Sequence, residues 1–202
     1  MSPSSTYPRL AAFDGPSVAA ILQMTPGEWD ASAISSWRSL IGRLADDQNL
    51  QPRLTRCLTL ALELSGLLRW ACLAARLEEV LRDLPASQAL ICAERWLRNP
   101  DESTRYEAAR LAELEDYDTG GALAAQAVFS SGASLAPLGE PPQPPGRNLA
   151  RKAAAGALSA IAAALGGQGF WLINRIGLEI AAGGDGRRGA QLALDAAAGA
   201  QP

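Results

Sequence analysis

The side chains able to do chemistry here are three cysteines, a dense run of carboxylates, five tryptophans and seventeen arginines, with no histidine anywhere. Without imidazole there is no Ser-His-Asp or Cys-His nucleophile, no His-ligated zinc or haem, and no imidazole acid–base step. Cys57, Cys72 and Cys92 are odd in number and form no C-x-x-C pair. Each sits in an apolar helical pattern, where a free Cys behaves as a small hydrophobe. Buried, inert thiols are expected, because a reactive one needs a base or a helix N-terminus to lower its pKa.

Glu113, Glu115, Asp116 and Asp118 are close enough in sequence to suggest a divalent-metal site. A carboxylate site in a helical bundle, however, draws its acids from separate helices, usually with Glu-x-x-His pairs. Crowded at one helix end, these acids read first as a solvated terminus. Acids are slightly unfavourable at a helix C-terminus, so Glu113, Glu115 and Asp116 are also candidates for contact with a basic partner. The run Gly184-Asp185-Gly186-Arg187-Arg188-Gly189 matches G-x-G-x-x-G literally. It follows a helical pattern and has no sheet beyond it, so the dinucleotide mechanism has no frame. No catalytic residue, metal site or cofactor is expected.

Among the tryptophans, Trp37, Trp70 and Trp96 fall on apolar helix faces and should anchor the core. Trp29 and Trp171 lie at element edges, and tryptophan is enriched at binding hot spots. The segment FSSGASLAPL, Phe129–Leu138, is the loop expected to carry function if a loop does; Phe129, Leu135 and Pro137 are its candidates.

These residues must be positioned by helices. Strand signals are nearly absent, with three Val and no Asn-Gly or Asp-Gly hairpin. The 202 residues are enough for one domain. The pattern predicts a flexible 1–15, a helical domain over 16–182 and a Gly/Ala-rich, partly disordered tail over 183–202. The fold class is all-α, a single compact bundle or irregular stack of about eight helices, with a Pro-rich crossing at 137–146. A first helix is expected over Pro16–Met24. A second carries Ile34, Trp37, Leu40, Ile41 and Leu44 on one face. Ser65-Gly66 offers a break in the hairpin of 51–84, Pro85 a stop, Asn99 a cap, and Asp118 or Thr119 another. In the acidic helix Tyr106, Ala109 and Ala112 should face inward. Of 40 Ala, 16 follow residue 150. The C-terminal helices must therefore pack very closely or borrow apolar surface from something else.

The formal charge of −3 argues against a nucleic-acid binder, which usually shows a basic face. Residues 101–118 hold seven acids against two Arg, which suits a basic partner. The first 15 residues lack an apolar signal-peptide core. Residues 153–174 are uncharged but dominated by Ala and Gly, so two core helices broken at Gly166-Gly167-Gln168-Gly169 are expected rather than a membrane span. A cytoplasmic protein with no stable membrane insertion is the expectation.

The runs AERWLRNPDESTRYEAARLAE (93–113), YDTGGALAAQAVFSSGASLAP (117–137) and PPQPPGRNLARKAAAGAL (141–158) resemble an uncharacterised bacterial all-helical family. The resemblance extends over residues 55–182. That family is loosely associated with type VI secretion and toxin-delivery gene clusters, and the Ala-Glu-x-Trp-Leu stretch is similar to helical immunity proteins. The resemblance implies an accessory protein: an adaptor, chaperone or immunity-type partner of a secreted effector or secretion component, with a homodimer compatible. It brings no catalytic residue. The alternative expectation is a helical carrier whose Ala- and Gly-lined helices over 147–182 enclose a small hydrophobic ligand.

Overall fold

A computed structural model describes Val18 and residues 34–199 of the chain. Among the described residues the architecture is all-α, with nine helices and no strand. In chain order they are α1 (Trp37–Ala45), α2 (Gln51–Ala61), α3 (Leu64–Leu81), α4 (Gln88–Arg98) and α5 (Glu102–Leu114). After them come α6 (Gly120–Phe129), α7 (Leu149–Ala164), α8 (Gly169–Ala181) and α9 (Arg187–Gly199). The segment 1–15, the helix expected over Pro16–Met24 and the candidate Trp29 lie outside the described residues, save Val18, which is helical and buried.

The longest helix, α3, is buried on most of its circumference and packs against α4, α6, α7, α8 and α9. A helix apolar all round belongs at the centre. Trp70 on α3 is fully buried, and its indole Nε1 donates to the Ile173 carbonyl of α8 at 2.8 Å. On α8, Asn174 is buried between Gln51 and Thr55. Its Nδ2 donates to the Gln51 carbonyl at 3.0 Å, and its Oδ1 accepts from Thr55 Oγ1 at 2.8 Å. These satisfied polar groups fix the register of α8 on α2 and α3.

A buried Leu contributes about 1.5–3 kcal/mol by leaving water. Ala contributes less, so the Ala-rich helices depend on close approach. Gly120, at the start of α6, lies so near α7 that a Cβ would overlap Ile161 and the Glu78 carboxylate. Ala154, Leu158, Ile161 and Ala162 of α7 are all buried, and α7 packs on α6, α3 and α8. The C-terminal third thus borrows its apolar surface from the middle of the same chain. Residues 153–174 divide as expected: α7 ends at Ala164, a 3₁₀ turn occupies Gly166–Gln168, and α8 begins at Gly169. No helix among the described residues is long and apolar enough to cross a membrane.

Several boundaries differ from the sequence expectation. The break between α2 and α3 falls at Leu62–Glu63, and Ser65 and Gly66 lie inside α3. Gly66 serves a helix contact instead, since a Cβ there would sit 3.2 Å from Ile180. The carbonyls freed at the end of α2 are taken by Arg151, whose Nη1 donates to Thr59 and, at 2.9 Å, to Leu62. Helix α3 stops at Leu81, four residues short of Pro85, and Asp83 just beyond it takes a left-handed conformation at φ 51°. Val80, near the end of α3, is 63 % exposed. Asn99 ends α4, while Asp101 caps α5 by accepting from Thr104 N at 2.8 Å. Thr119 caps α6. The expected disordered tail is corrected over Arg187–Gly199, which forms α9 and packs on α8 through buried Gly189 and Ala193.

Candidate functional site

The 130–148 connection between α6 and α7 is held by one side chain that the inward pattern of α5 had concealed. Arg105 is fully buried. Its Nε and Nη2 form a fork on Glu102, at 3.0 and 2.6 Å, while Nη1 donates to the Phe129 carbonyl at 2.5 Å and Nη2 to the Ser134 carbonyl at 2.8 Å. The guanidinium lies 4.6 Å from the Tyr106 ring centre and 4.9 Å from that of Phe129. Burial opposes its charge, but the Glu102 carboxylate outweighs that and holds the guanidinium above its usual range. Gly132 is required beneath it, because a Cβ would overlap the guanidinium. The inward face of α5 is therefore Thr104, Arg105, Ala108 and Ala112, with Tyr106 and Ala109 only half-buried. Arg105 shares the 3- and 4-residue spacing of Ala108 and Ala112, the one sequence signal that could have placed it inside.

Fixed in this way, the connection turns over the outer side of α5. Tyr106 Oη donates to the Ala136 carbonyl at 2.5 Å, and its ring meets Phe129 edge-on, 5.4 Å between centres. Leu135 N donates to the Gln143 carbonyl at 2.8 Å, and Gln143 N donates to Ser134 Oγ at 2.9 Å, so the Pro-rich stretch folds back on the loop. The result is a groove of about 310 Å³ lined by Tyr106, Tyr117, Phe129, Leu135, Pro137 and Glu113. A second hollow, of about 460 Å³, adjoins it across Pro137 and includes Leu138 and Arg95. Leu114, Tyr117 and Leu138 are large apolar side chains left exposed around this face. Four of the sequence candidates, Glu113, Phe129, Leu135 and Pro137, are thus brought together.

The remaining candidates separate. Glu115 is turned inward: it accepts from Ser87 Oγ at 2.8 Å and from Ala89 N at 3.0 Å, tying down the start of α4. That occupation gives Glu115 a structural job, whereas Glu113 and Asp116 are exposed beside the groove. Trp171 lies elsewhere. It is half-buried under the Arg175 guanidinium, 4.0 Å from its ring centre, and lines a different hollow of about 240 Å³ with Gln48, Asn49 and Gln168. Among the core tryptophans, Trp37 and Trp70 are buried but Trp96 only partly so. All three cysteines are buried, and burial pushes the Cys57 and Cys72 thiols up to about 12. Among the described residues no three Cys, Asp or Glu side chains group closely enough to hold a metal ion.

With this geometry in place, a comparison with protein-family models matches residues 40–176 to DUF6931, a family of unknown function. The chain belongs to that family. The DUF6931 span runs from within α1 to within α8 and includes every residue named for the groove on α5, α6 and the α6–α7 connection. It leaves out α9. Comparison with curated proteins and with solved structures returned no match.

Proposed function

We propose that this chain is a non-enzymatic interaction protein that docks a basic polypeptide in the groove beside α5. The observation that carries this reading is the convergence of Tyr106, Phe129, Leu135 and Pro137 with exposed Leu138 and Tyr117 on one rigidly held face. Aromatic side chains around a hollow are the usual anchors of protein recognition. Glu113 in its lining, with Asp116 and Asp118 exposed on the turn that follows α5, supplies the complementary charge for Lys or Arg flanking an apolar anchor, while Arg110 in the same lining is paired with Glu107 at 2.7 Å. Anchoring the loop through Arg105 removes the cost of ordering it on binding.

The finer reading is an accessory factor of a bacterial secretion or effector system, as adaptor, chaperone or immunity-type partner. It rests on the resemblance of residues 93–158. Stoichiometric occlusion or docking would be its mechanism, which needs no catalytic group.

The test is retrieval of tagged protein from the native host, comparing the natural chain with Leu138→Glu and Glu113→Lys. Both positions are exposed, so neither change strains the fold. One basic protein should be enriched with the natural chain and reduced about tenfold or more with either variant, the equivalent of losing roughly 1.4 kcal/mol. A partner set unaffected by both variants refutes the reading.

A further inference from the structure

The run Gly184–Gly189 has no role as a dinucleotide loop, yet it has one in placing a charge. Gly186 holds φ 90°, and a Cβ there would overlap Leu73 of α3. This close approach brings the turn onto α3 and starts α9 immediately at Arg187. Asp185 Oδ1 accepts from Arg187 N at 3.0 Å and so caps that start. The Arg187 side chain then lines a groove of about 300 Å³ together with Arg69 of α3 and Arg98 of α4. Its apolar wall is Cys72, Leu73 and Leu97.

Three arginines from three helices therefore share the lining with one carboxylate, Glu94. Glu94 is already committed: its two oxygens accept from Arg76 Nε and Nη2, each at 2.9 Å. Neither Arg69 nor Arg98 has a carboxylate within ion-pair distance among the described residues. Arg187 has only Asp185, at 3.5 Å on the open surface. Unpaired like charges gathered on a solvent-facing groove repel one another. Arginine forks are the side chains best matched to phosphate oxygens. The volume lies at the lower end of small-molecule sites. Cys72 contributes no chemistry, being 2 % exposed and protonated.

We infer that the groove between α3, α4 and the start of α9 binds a small phosphate-bearing anion through Arg69, Arg98 and Arg187. The site shares no lining residue with the groove beside α5. The apolar wall accepts the uncharged part of such a ligand, and the open mouth leaves its far end in solvent.

Inorganic pyrophosphate is the probe, titrated calorimetrically into the full chain at low salt. Saturable binding near one equivalent is expected, weakened about tenfold by Arg69→Ala, Arg98→Ala or Arg187→Ala and unaffected by Arg188→Ala. All four positions are exposed, and unchanged circular dichroism checks that the variants fold. Absence of pyrophosphate binding at about 1 mM, where affinity would be only ~4 kcal/mol, overturns the inference. Binding that survives the three substitutions overturns it equally. So does a Glu-rich peptide that binds where pyrophosphate does not, because the site would then serve a macromolecule.

Discussion

Replacing Arg105 by Met keeps the length of the side chain and removes its charge and all its donors. The Phe129 and Ser134 carbonyls lose their principal partner, and an under-satisfied buried group costs about 1–3 kcal/mol. Each keeps a weaker donor, Gly132 N at 3.3 Å and Tyr106 Oη at 3.4 Å, so the lower part of that range applies. Loss of the contacts with the Tyr106 and Phe129 rings adds about 0.5–1 kcal/mol. Glu102, whose side chain is 58 % exposed, simply returns to water. The expected destabilisation is roughly 3 kcal/mol. Glu102→Gln keeps an acceptor for the buried guanidinium but removes its counter-charge, so it should cost less than Arg105→Met, about 1–2 kcal/mol. Urea unfolding followed by circular dichroism reads both. Arg105→Met should lower the midpoint by about 1 M or more at unchanged slope. A shift below about 1 kcal/mol for Arg105→Met refutes the argument, and so does equal damage from Glu102→Gln.

Four further outcomes follow from the same structure. Glu115→Ala, which frees Ser87 and the start of α4, should cost about 1–2 kcal/mol in thermal unfolding, and exposed Glu113→Ala less than about 0.5. Gly120→Ala should destabilise by about 1–3 kcal/mol through overlap with Ile161, whereas Gly66→Ala, whose Cβ would sit 3.2 Å from Ile180 Cγ2, should cost less, under about 1 kcal/mol, by the same measurement. The Arg105 hydrogen bond holds the Glu102 carboxyl below its ordinary 4.5. Its stabilisation is therefore complete above that pH and lost as pH falls through the lowered value, so Glu102→Gln should flatten the acid limb of a urea-midpoint profile. With Cys57 and Cys72 near 12, about one thiol in ten thousand is ionised at pH 8. Native protein should resist iodoacetamide, and urea should release the thiols, as intact mass spectrometry would record.

The helical plan was legible because its apolar residues recur at 3 and 4. Trp37, Leu40, Ile41 and Leu44 occupy the buried face they were expected to occupy. What local pattern could not supply was the use of each residue by a distant neighbour. Gly66 reads as a helix break until Ile180 of α8 is seen against it, and the use of Gly186 is not readable until Leu73 is seen beneath it. The tail looked disordered by composition, yet its small residues are what allow α9 to lie close on α8. The groove was half legible. Phe129, Leu135 and Pro137 stood out as an apolar loop, but the organiser, Arg105, was hidden by the rule that charged residues face solvent. Glu115 was misplaced for the converse reason: a carboxylate in an acidic run gives no sign that it caps another helix.

The central claim is that the face formed by α5, α6 and the α6–α7 connection receives a partner. Leu138 and Val80 make the sharpest comparison, since they are 64 % and 63 % exposed and only Leu138 borders the groove. A photo-crosslinking phenylalanine analogue placed at each position in the native host reports what touches it. The account predicts one protein adduct of defined mass from position 138 and none of that mass from position 80. No adduct at 138, or the same adducts from both positions, would contradict it.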